Sequence, residues 1–508
     1  MSNVNISKTI RWWPCYLIGL LITIAILIIW IPDSANRQVQ VMKTMGVGLV
    51  GLVFTLIWFF AFSRLSGKIR IRGLAIFVIL LVLTASLFEI RGFTGDLIPN
   101  IAWRWTSQSF VSADIPDTLN LQTNYAQFLG PNRNAILTNI HLQPNWEQHP
   151  PKLLWRKPVG EGWSAFAISN RFAITQEQQG EEETVVCYDL LTGHEKWRHK
   201  NTFRYQNPMA GVGPRATPTI SQNRVYTVGA MGMLNCLDLE TGQKIWSRNI
   251  LQDTQAEQQE WGLSCSPLIL DDKVIVSPGG PNNQSLMAYN KNTGEIIWGG
   301  GNKKAGNSSP NLVTLAQIEQ IVIFNNRQVA GHNPTSGKVL WQHPWPNSQY
   351  VAQPVPVSND RLFVSSGYGV GCQLIQIEKN EHGDLSATTL WKNNRLKAKF
   401  TNVVHKDGYI YGLDDGILVC LDVETGKRKW KRGRYGHGQL ILVDNLLLIQ
   451  TEHGDVVLVD ATPNGHNERA SLPVLNNRTW NNPTFAAPYL LVRNDQEAAC
   501  YELALQNN

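Results

Sequence analysis

The residues best suited to hold a ligand lie just before each predicted β-hairpin. They are Trp163-Ser164, Arg215, Trp261 with Ser264, Asn307-Ser308-Ser309, Tyr350 with Gln353, Lys399-Phe400-Thr401, His437 and Trp480-Asn481. Arg215, Lys399 and Arg434 could hold carboxylates, arginine through a bidentate fork, and the tryptophans offer planar faces for stacking. This set would suit an anionic planar ligand or a peptide segment. A polar, water-filled opening without a specific ligand is the alternative.

Other catalytic signatures are incomplete. His194-Glu195 is followed by the next histidine at position 199, one residue too far for a zinc-binding H-E-x-x-H. Residues 262–266 (GLSCS) lack the final glycine of a nucleophile elbow. The glycine-rich stretches 367–371 and 433–438 are too short for a dinucleotide loop. The histidines are scattered, and no Cys/His cluster has metal-ligand spacing, so we expect neither a metal nor a catalytic residue.

One repeated unit organises the chain. Cys420–Trp430 (CLDVETGKRKW) has the pattern of a strand, a Thr-Gly turn and a second strand that ends at tryptophan. Copies occur at Cys236–Trp246, Cys187–Trp197 and Ala288–Trp298, with a looser one at Gly331–Trp341. A fixed period of this kind decides the fold before any other feature is considered.

A hairpin precedes each unit, as in residues 217–228 and 403–413, so that each repeat supplies four strands. Four strands every ~40 to 50 residues is the period of a β-propeller blade, and eight hairpins predict eight blades. The last repeat stops after residue 503, before its closing strand. Residues 153–157 (LLWRK) have the form of that missing strand, and pairing the two ends would close the ring. The predicted fold is an all-β, eight-bladed propeller of four-stranded antiparallel blades.

The repeated tryptophans are expected to be structural, because one per blade at a fixed position is what packing between blades requires. They are Trp155, Trp197, Trp246, Trp298, Trp341, Trp391 and Trp430. Cys187, Cys236, Cys420 and Cys500 occupy one position of different repeats, which favours small core residues over disulfides. Cys265 and Cys372 have no predicted role.

Three apolar segments precede the propeller. Residues 14–31, 45–63 and 71–88 are almost free of charge, and each is near the ~20 residues that cross a bilayer as a helix. We therefore predict a membrane anchor at 1–92 with three transmembrane helices, a linker and lead-in at 93–152, and the propeller at 153–505. The net charge of +6 is modest and partly due to the membrane flanks, so no nucleic-acid partner is expected.

The basic residues of the short loops set the expected orientation. Lys8 and Arg11 precede the first segment, and four Lys or Arg residues lie between the second and third (64–72), whereas the first loop also carries Arg37 and Lys43 against Asp33. Lys and Arg favour the cytoplasmic side. We expect a multi-pass protein of the inner (cytoplasmic) membrane, with the propeller on the periplasmic, extracytoplasmic side.

The repeat resembles that of the quinoprotein-type (PQQ-like) propeller family. The resemblance is carried by Asp, Thr-Gly and Trp at 189/192/193/197, 238/241/242/246 and 422/425/426/430, and it extends over residues 125–505. That bacterial family includes PQQ-dependent alcohol and glucose dehydrogenases, the BamB-like outer-membrane assembly scaffold, which has no catalytic role, and many proteins of unassigned function. It implies either a binding scaffold or a quinoprotein enzyme.

A quinoprotein dehydrogenase needs a carboxylate base and a Ca²⁺ cage beside its PQQ. Asp and Glu are absent from the eight positions before the hairpins, the nearest being Glu161, Glu260, Asp414 and Asp415, and the adjacent cysteine pair of many such enzymes is missing. The sequence therefore favours a membrane-anchored, non-catalytic scaffold without a cofactor, which binds a protein or polymer partner. The alternative is a PQQ-dependent oxidoreductase that passes electrons to membrane quinone.

The orientation gives a first testable prediction. A phosphatase reporter fused after Asn508 should be active in intact cells, because it would lie outside the cytoplasm, and a fluorescent reporter that folds only in the cytoplasm should stay dark at the same site. The reverse pattern would place the propeller in the cytoplasm.

Overall fold

The computed structural model describes residues 10–31, 37–105, 110–112, 118–347 and 349–506. Lys8 and Asp33, which entered the orientation argument, lie outside the described residues. The chain divides into two compact units, Met1–Ser107 and Gln108–Asn508.

The first unit contains three helices that are long and apolar enough to cross a membrane. They are α1 (Trp13–Trp30), α2 (Arg37–Ile57, continued by a π-helical turn at Trp58–Phe62) and α3 (Gly67–Leu87). Helix α2 begins eight residues before the predicted apolar segment, because its polar first turns are helical too. At the other end, Phe88 begins a strand rather than ending a helix, and Phe88–Phe93 pairs with Pro99–Trp103.

The second unit is an eight-bladed β-propeller, which confirms the predicted fold. Blade 1 consists of Ala167–Ser169, Phe172–Gln179, Glu182–Asp189 and Glu195–Asn201. Blade 2 consists of Thr219–Ser221, Arg224–Val228, Met233–Asp238 and Lys244–Asn249. Blade 3 consists of Leu268–Leu270, Lys273–Val276, Leu286–Asn290 and Ile296–Gly300. Blade 4 consists of Asn311–Leu315, Ile318–Asn325, Gln328–His332 and Val339–Pro344.

The remaining blades follow the same order. Blade 5 consists of Val355–Pro356, Arg361–Ser366, Gly371–Lys379 and Leu385–Asn393. Blade 6 consists of Val404–Lys406, Tyr409–Asp414, Ile417–Asp422 and Arg428–Arg434. Blade 7 consists of Gln439–Val443, Leu446–Gln450, Asp455–Asp460 and Glu468–Pro473. Blade 8 consists of Thr484–Ala486, Tyr489–Arg493, Glu497–Glu502 and the early strand Lys152–Pro158.

Short elements supplement the blades. Ile136–Leu137 adds a parallel strand to the inner edge of blade 7, and Val111–Ser112 adds an antiparallel strand to the outer edge of blade 8. Gln206–Asn207 pairs with Gly211–Val212 between blades 1 and 2, and helix α4 (Ile250–Thr254) lies between blades 2 and 3. First strands of successive blades contact each other, as between blades 8 and 1, 1 and 2, and 6 and 7, so they line a central channel.

The two ends of the propeller close blade 8 as predicted. Cys500 pairs with Trp155 and Glu502 with Lys152 in one antiparallel ladder. Arg156 adds a two-pronged ion pair to Glu497, with Nε–Oε2 at 2.7 Å and Nη2–Oε1 at 2.8 Å. The ladder joins the start of the propeller to its end. Each of the two strands therefore covers the edge of the other.

The repeated tryptophans lie between blades. The indole N–H of Trp197 donates to the Leu239 carbonyl of the next blade at 2.8 Å, and that of Trp391 to Val423 at 2.9 Å. Equivalent bonds join Trp155 to Leu190, Trp246 to Lys291 and Trp430 to Thr462. Two positions differ: Trp341 donates to Gln320 of its own blade, and Trp298 Nε1 has no hydrogen-bond partner among the residues described.

The Thr-Gly turn of the next blade supplies the surface on which most of these rings pack. Gly193, Gly242, Gly294, Gly337 and Gly426 all have positive φ and lie against the tryptophan of the preceding blade. A Cβ on Gly426 would come within 2.8 Å of Trp391 Cε3. Each turn is held by an Asp or Asn side chain. The carboxylate of Asp422, for example, accepts the Thr425 backbone N–H at 2.9 Å and the Thr425 hydroxyl at 2.8 Å, and Asn290 and Asn333 take the same position in blades 3 and 4. The repeated unit thus forms a packing contact between neighbouring blades, here called the joint.

This joint can be tested with two glycines of blade 6. Gly426→Ala should lower the free energy of unfolding more than Gly408→Ala, by about 1–3 kcal/mol, because it adds steric overlap with Trp391. Gly408 also has positive φ (+80°), but a Cβ added there would meet no atom within 4 Å, so Gly408→Ala carries the backbone cost alone. Chemical denaturation of both variants measures the difference, and equal losses would mean that the ring contact contributes nothing.

Candidate functional site

A relay of hydrogen bonds runs around the channel from blade 2 to blade 7, at the start of the first strands. In each step a backbone N–H donates to a side chain of the next blade. The steps are Thr217 N to Ser266 Oγ (2.9 Å), Ser266 N to Ser309 Oγ (2.9 Å), Ser309 N to Gln353 Oε1 (2.7 Å), Gln353 N to Asn402 Oδ1 (3.2 Å) and Asn402 N to Gln439 Oε1 (3.3 Å). Gln353, predicted as a ligand-binding residue, is buried and belongs to this relay. Its amide therefore joins blades and is not presented to a ligand.

The opposite end of the channel is crossed by residues 122–137, here called the floor segment. Its contacts are Gln122 with Ala487, Tyr125 with Ile168, Ala126 with Ile220, and Ile136–Leu137 with Leu442–Val443. From this segment Arg133, only 3% exposed, donates to the carbonyls of Ser266 and Pro267, both at 3.0 Å. The floor segment thus contacts five blades. The end of the channel at the start of the first strands is here called the mouth.

An aromatic row crosses this mouth. It consists of Trp163, Trp480, Phe400 and His437, with ring centroids separated by 4.9 Å, 4.8 Å and 5.3 Å in that order. Its members come from the loops before blades 1, 8, 6 and 7. All four belong to the set of residues before the hairpins, and the tertiary structure brings them together into one surface. Trp163, Phe400 and Trp480 remain partly exposed.

Two arginines support the row. Arg478 lies against both tryptophans, with its guanidinium carbon 4.6 Å from the Trp163 centroid and 4.4 Å from that of Trp480. Arg215, a predicted carboxylate ligand, donates instead to the Gly213, Ala210 and Gly211 carbonyls and stacks on Tyr205 at 4.4 Å. The Trp163 indole donates to the same Ala210 carbonyl at 2.6 Å. Both guanidinium groups therefore contact rings and carbonyl groups of the protein itself, and these contacts shape the mouth.

The other predicted residues are distributed around the mouth. Ser264 donates to the Asn307 carbonyl at 3.4 Å, and Trp261 is partly exposed beside them in sequence. Lys399 is buried, with its ammonium 5.2 Å from the Tyr368 ring centroid. Arg434 is exposed at the end of the outer strand of blade 6, outside the aromatic row. These five residues belong to the loops before blades 3, 4 and 6 and to the outer strand of blade 6.

Two acidic residues at the mouth were missed. Glu452 accepts the Trp480 indole N–H at 2.8 Å and the His437 backbone N–H at 3.0 Å, and is 2% exposed. Glu183, also 2% exposed, accepts the Ala230 N–H at 2.8 Å. Both follow or begin inner strands of the hairpins, whose ends return to the same mouth. A polar residue shortly after a buried second strand, such as Glu452 after Leu446–Gln450, is the signal in the sequence that marks such a position.

These contacts bear on whether the mouth fits a Ca²⁺-bound quinone. Trp480 contacts Trp163, Phe400 and Arg478, and the Glu452 oxygens already accept two N–H groups. Across the described ranges, no group of three or more His, Cys, Asp or Glu residues could hold a metal ion. The residues present do not fit this cofactor.

Glu183 predicts a pH dependence of stability. Burial raises the pKa of its carboxyl to about 7 in the folded chain, against about 4.3 in an unfolded chain. Between these values the folded state binds more protons than the unfolded state, so the free energy of unfolding falls as the pH rises. Glu183→Gln should be more stable than the wild type at pH 8, by up to about 3 kcal/mol, and similar to it near pH 4.

Unfolding midpoints of the full chain measured from pH 4 to pH 8 would test this. Glu181→Gln is the matched control, because the Glu181 side chain is 80% exposed, and it should follow the wild-type curve. A constant offset of Glu183→Gln at all pH values would contradict the assigned titration.

The comparison with known proteins agrees with the architecture. A family model described as "Outer membrane protein assembly factor BamB" matches residues 146–260 and 181–432. BamB of Shewanella oneidensis is 23% identical over 366 residues, which cover 67% of this chain and 76% of that protein. The quinohemoprotein alcohol dehydrogenase ADH IIB of Pseudomonas putida is 29% identical over 125 residues, 22% of this chain and 17% of the enzyme.

Solved structures show the same fold at low identity. The quinohemoprotein alcohol dehydrogenase ADHIIG of Pseudomonas putida HK5 superposes with a TM-score of 0.53 at 13% identity, covering 78% of this chain and 84% of the enzyme. The quinohemoprotein alcohol dehydrogenase of Comamonas testosteroni gives 0.51 at 11% identity, covering 76% and 81%. The two family-model matches together extend over more than half of the sequence. This chain therefore belongs to the PQQ-like propeller repeat family, whose model carries the BamB description.

Proposed function

We propose that this protein is a membrane-anchored, non-catalytic scaffold whose propeller binds a protein or polymer partner at the open mouth of its channel. The proposal rests on the hydrogen bonds that the polar side chains at the mouth already make. Arg215, Trp163 and Glu452 already have partners within the protein. Their bonds hold a fixed surface, and these three groups are directed at the protein itself rather than at a bound ligand.

The partly exposed part of this surface suits a macromolecule. The aromatic row offers large, rigid apolar area, and such residues dominate binding energy in protein interfaces. In this proposal the partner approaches the propeller from the mouth. Similarity to BamB, named as an outer membrane protein assembly factor, supports a role in binding protein.

The anchor gives the scaffold its place in the cell. The three apolar helices and the basic loops around them favour insertion in the cytoplasmic membrane, with the propeller on the periplasmic side. A partner would then be a periplasmic or envelope component.

Photocrosslinking can test the binding face. A benzoylphenylalanine residue at Met209, 46% exposed in the hairpin beside Trp163, should give a discrete adduct of higher mass in cells of the source organism. Leu390, 47% exposed on the outer strand of blade 5, is the matched control and should give much less. Trp480→Ala should reduce the Met209 adduct several-fold, because it removes the centre of the aromatic row.

Equal adducts at both positions, or none, would contradict a partner at the mouth.

A separate measurement addresses catalysis. The purified full chain mixed with micromolar PQQ and Ca²⁺ should show neither bound quinone absorbance nor dye reduction with alcohols or sugars. Quinone binding that is lost in Arg215→Ala would contradict the scaffold and favour the oxidoreductase.

A further inference from the structure

The outer strand of blade 6 is strongly basic. Six of the eight residues from Lys427 to Arg434 are Lys or Arg, the others being Trp430 and Gly433. Trp430 packs between blades, while Lys427, Arg428, Lys429, Arg432 and Arg434 are exposed. The positive charge is therefore displayed along the rim of the propeller, away from the channel.

Most of this charge is not neutralised. Lys431 pairs with the buried Asp414 at 2.5 Å. Within the described part of the chain, Lys427, Arg428, Lys429 and Arg432 have no carboxylate oxygen within 4 Å. Blade 1 provides the contrast, because Arg198 of its outer strand pairs with Glu195, and Lys200 with Glu182.

The strand is also an open edge. Arg428–Arg434 is the last strand of its sheet, so alternate backbone N–H and C=O groups point outward without a neighbouring strand. Blade 8 shows what this position in the fold can accept: Val111–Ser112 pairs antiparallel with Trp155 and Arg156 as a fifth, outermost strand. On blade 6 the described residues supply no such fifth strand.

Like charges on an edge strand repel a second copy of the same edge, which protects the protein from aggregation. The same charges select an acidic strand, because side chains of opposite charge on neighbouring strands attract each other. We propose that the outer edge of blade 6 binds an acidic, extended peptide segment of a partner as an added β-strand. This rests on the proposed scaffold function and gives it a second surface with a defined partner chemistry.

The geometry specifies the ligand. A strand of alternating Glu and apolar residues places its carboxylates on one face, with ~7 Å between successive ones. Main-chain hydrogen bonds would supply affinity, and the cations would supply selectivity for acidic sequences.

The test uses the full chain in nanodiscs of zwitterionic lipid and a fluorescein-labelled peptide of five Glu-Val repeats, followed by fluorescence anisotropy. Binding should weaken at least 10-fold in Arg428→Glu/Arg432→Glu and should fall with added salt. The matched control is Lys196→Glu/Lys244→Glu, which makes the same charge change on the outer strands of blades 1 and 2 and should bind like the wild type.

A second peptide separates strand pairing from simple ionic attraction. Replacing the two central residues with proline removes backbone donors on both edges, and this peptide should bind at least 10-fold more weakly. Equal binding of both peptides, or no binding of the first, would overturn the proposal. So would binding only to phosphatidylglycerol vesicles, which would identify a membrane-surface patch. None of these outcomes affects the Met209 adduct, so failure here is distinguishable from failure of the mouth scaffold.

Discussion

Closure of the ring is the constraint on which the rest of the propeller depends. Every blade buries both faces against its neighbours, so a missing blade contact anywhere would expose two apolar faces at once. The chain closes the ring by pairing Lys152–Pro158 with Glu497–Glu502, residues more than 300 positions apart, and reinforces the ladder with Arg156 and Glu497. The joint between blades 8 and 1 then uses the same device as most of the others, the Trp155 ring on the Gly193 turn.

The two ends of the channel are built differently. The floor segment draws on residues that precede the propeller and contacts blades on several sides, with the buried Arg133 guanidinium satisfying carbonyls at the start of blade 3. The mouth is formed by residues before first strands and after second strands, where the relay of Ser, Gln and Asn side chains takes up backbone N–H groups that would otherwise be buried without partners. Polar residues at the mouth therefore have a structural demand to meet before any ligand.

That demand bears on the two functions considered for a chain of this family. An oxidoreductase requires polar groups that are held in place yet still directed at a bound cofactor, whereas a scaffold requires a stable surface. Here Trp480 packs against Trp163, Phe400 and Arg478, and Glu452 accepts hydrogen bonds from Trp480 and His437. The arrangement favours the scaffold because the Trp480 and Glu452 side chains are already packed or hydrogen-bonded within the surface. Blade 6 adds a different kind of surface, an edge with unneutralised charge.

The sequence by itself determined the fold, the closing strand and the apolar segments, because these follow from local patterns repeated many times: a period, a turn and a tryptophan. It also located Trp163, Trp480 and His437 before their hairpins. Only the tertiary structure decided that these residues join Phe400 in one row and that Arg215 bonds its own loop. The same holds for Gln353, which joins blades, and for the floor segment, which contacts five of them. Such contacts connect residues far apart in the chain, and no local spacing records which loops converge when eight blades form a ring.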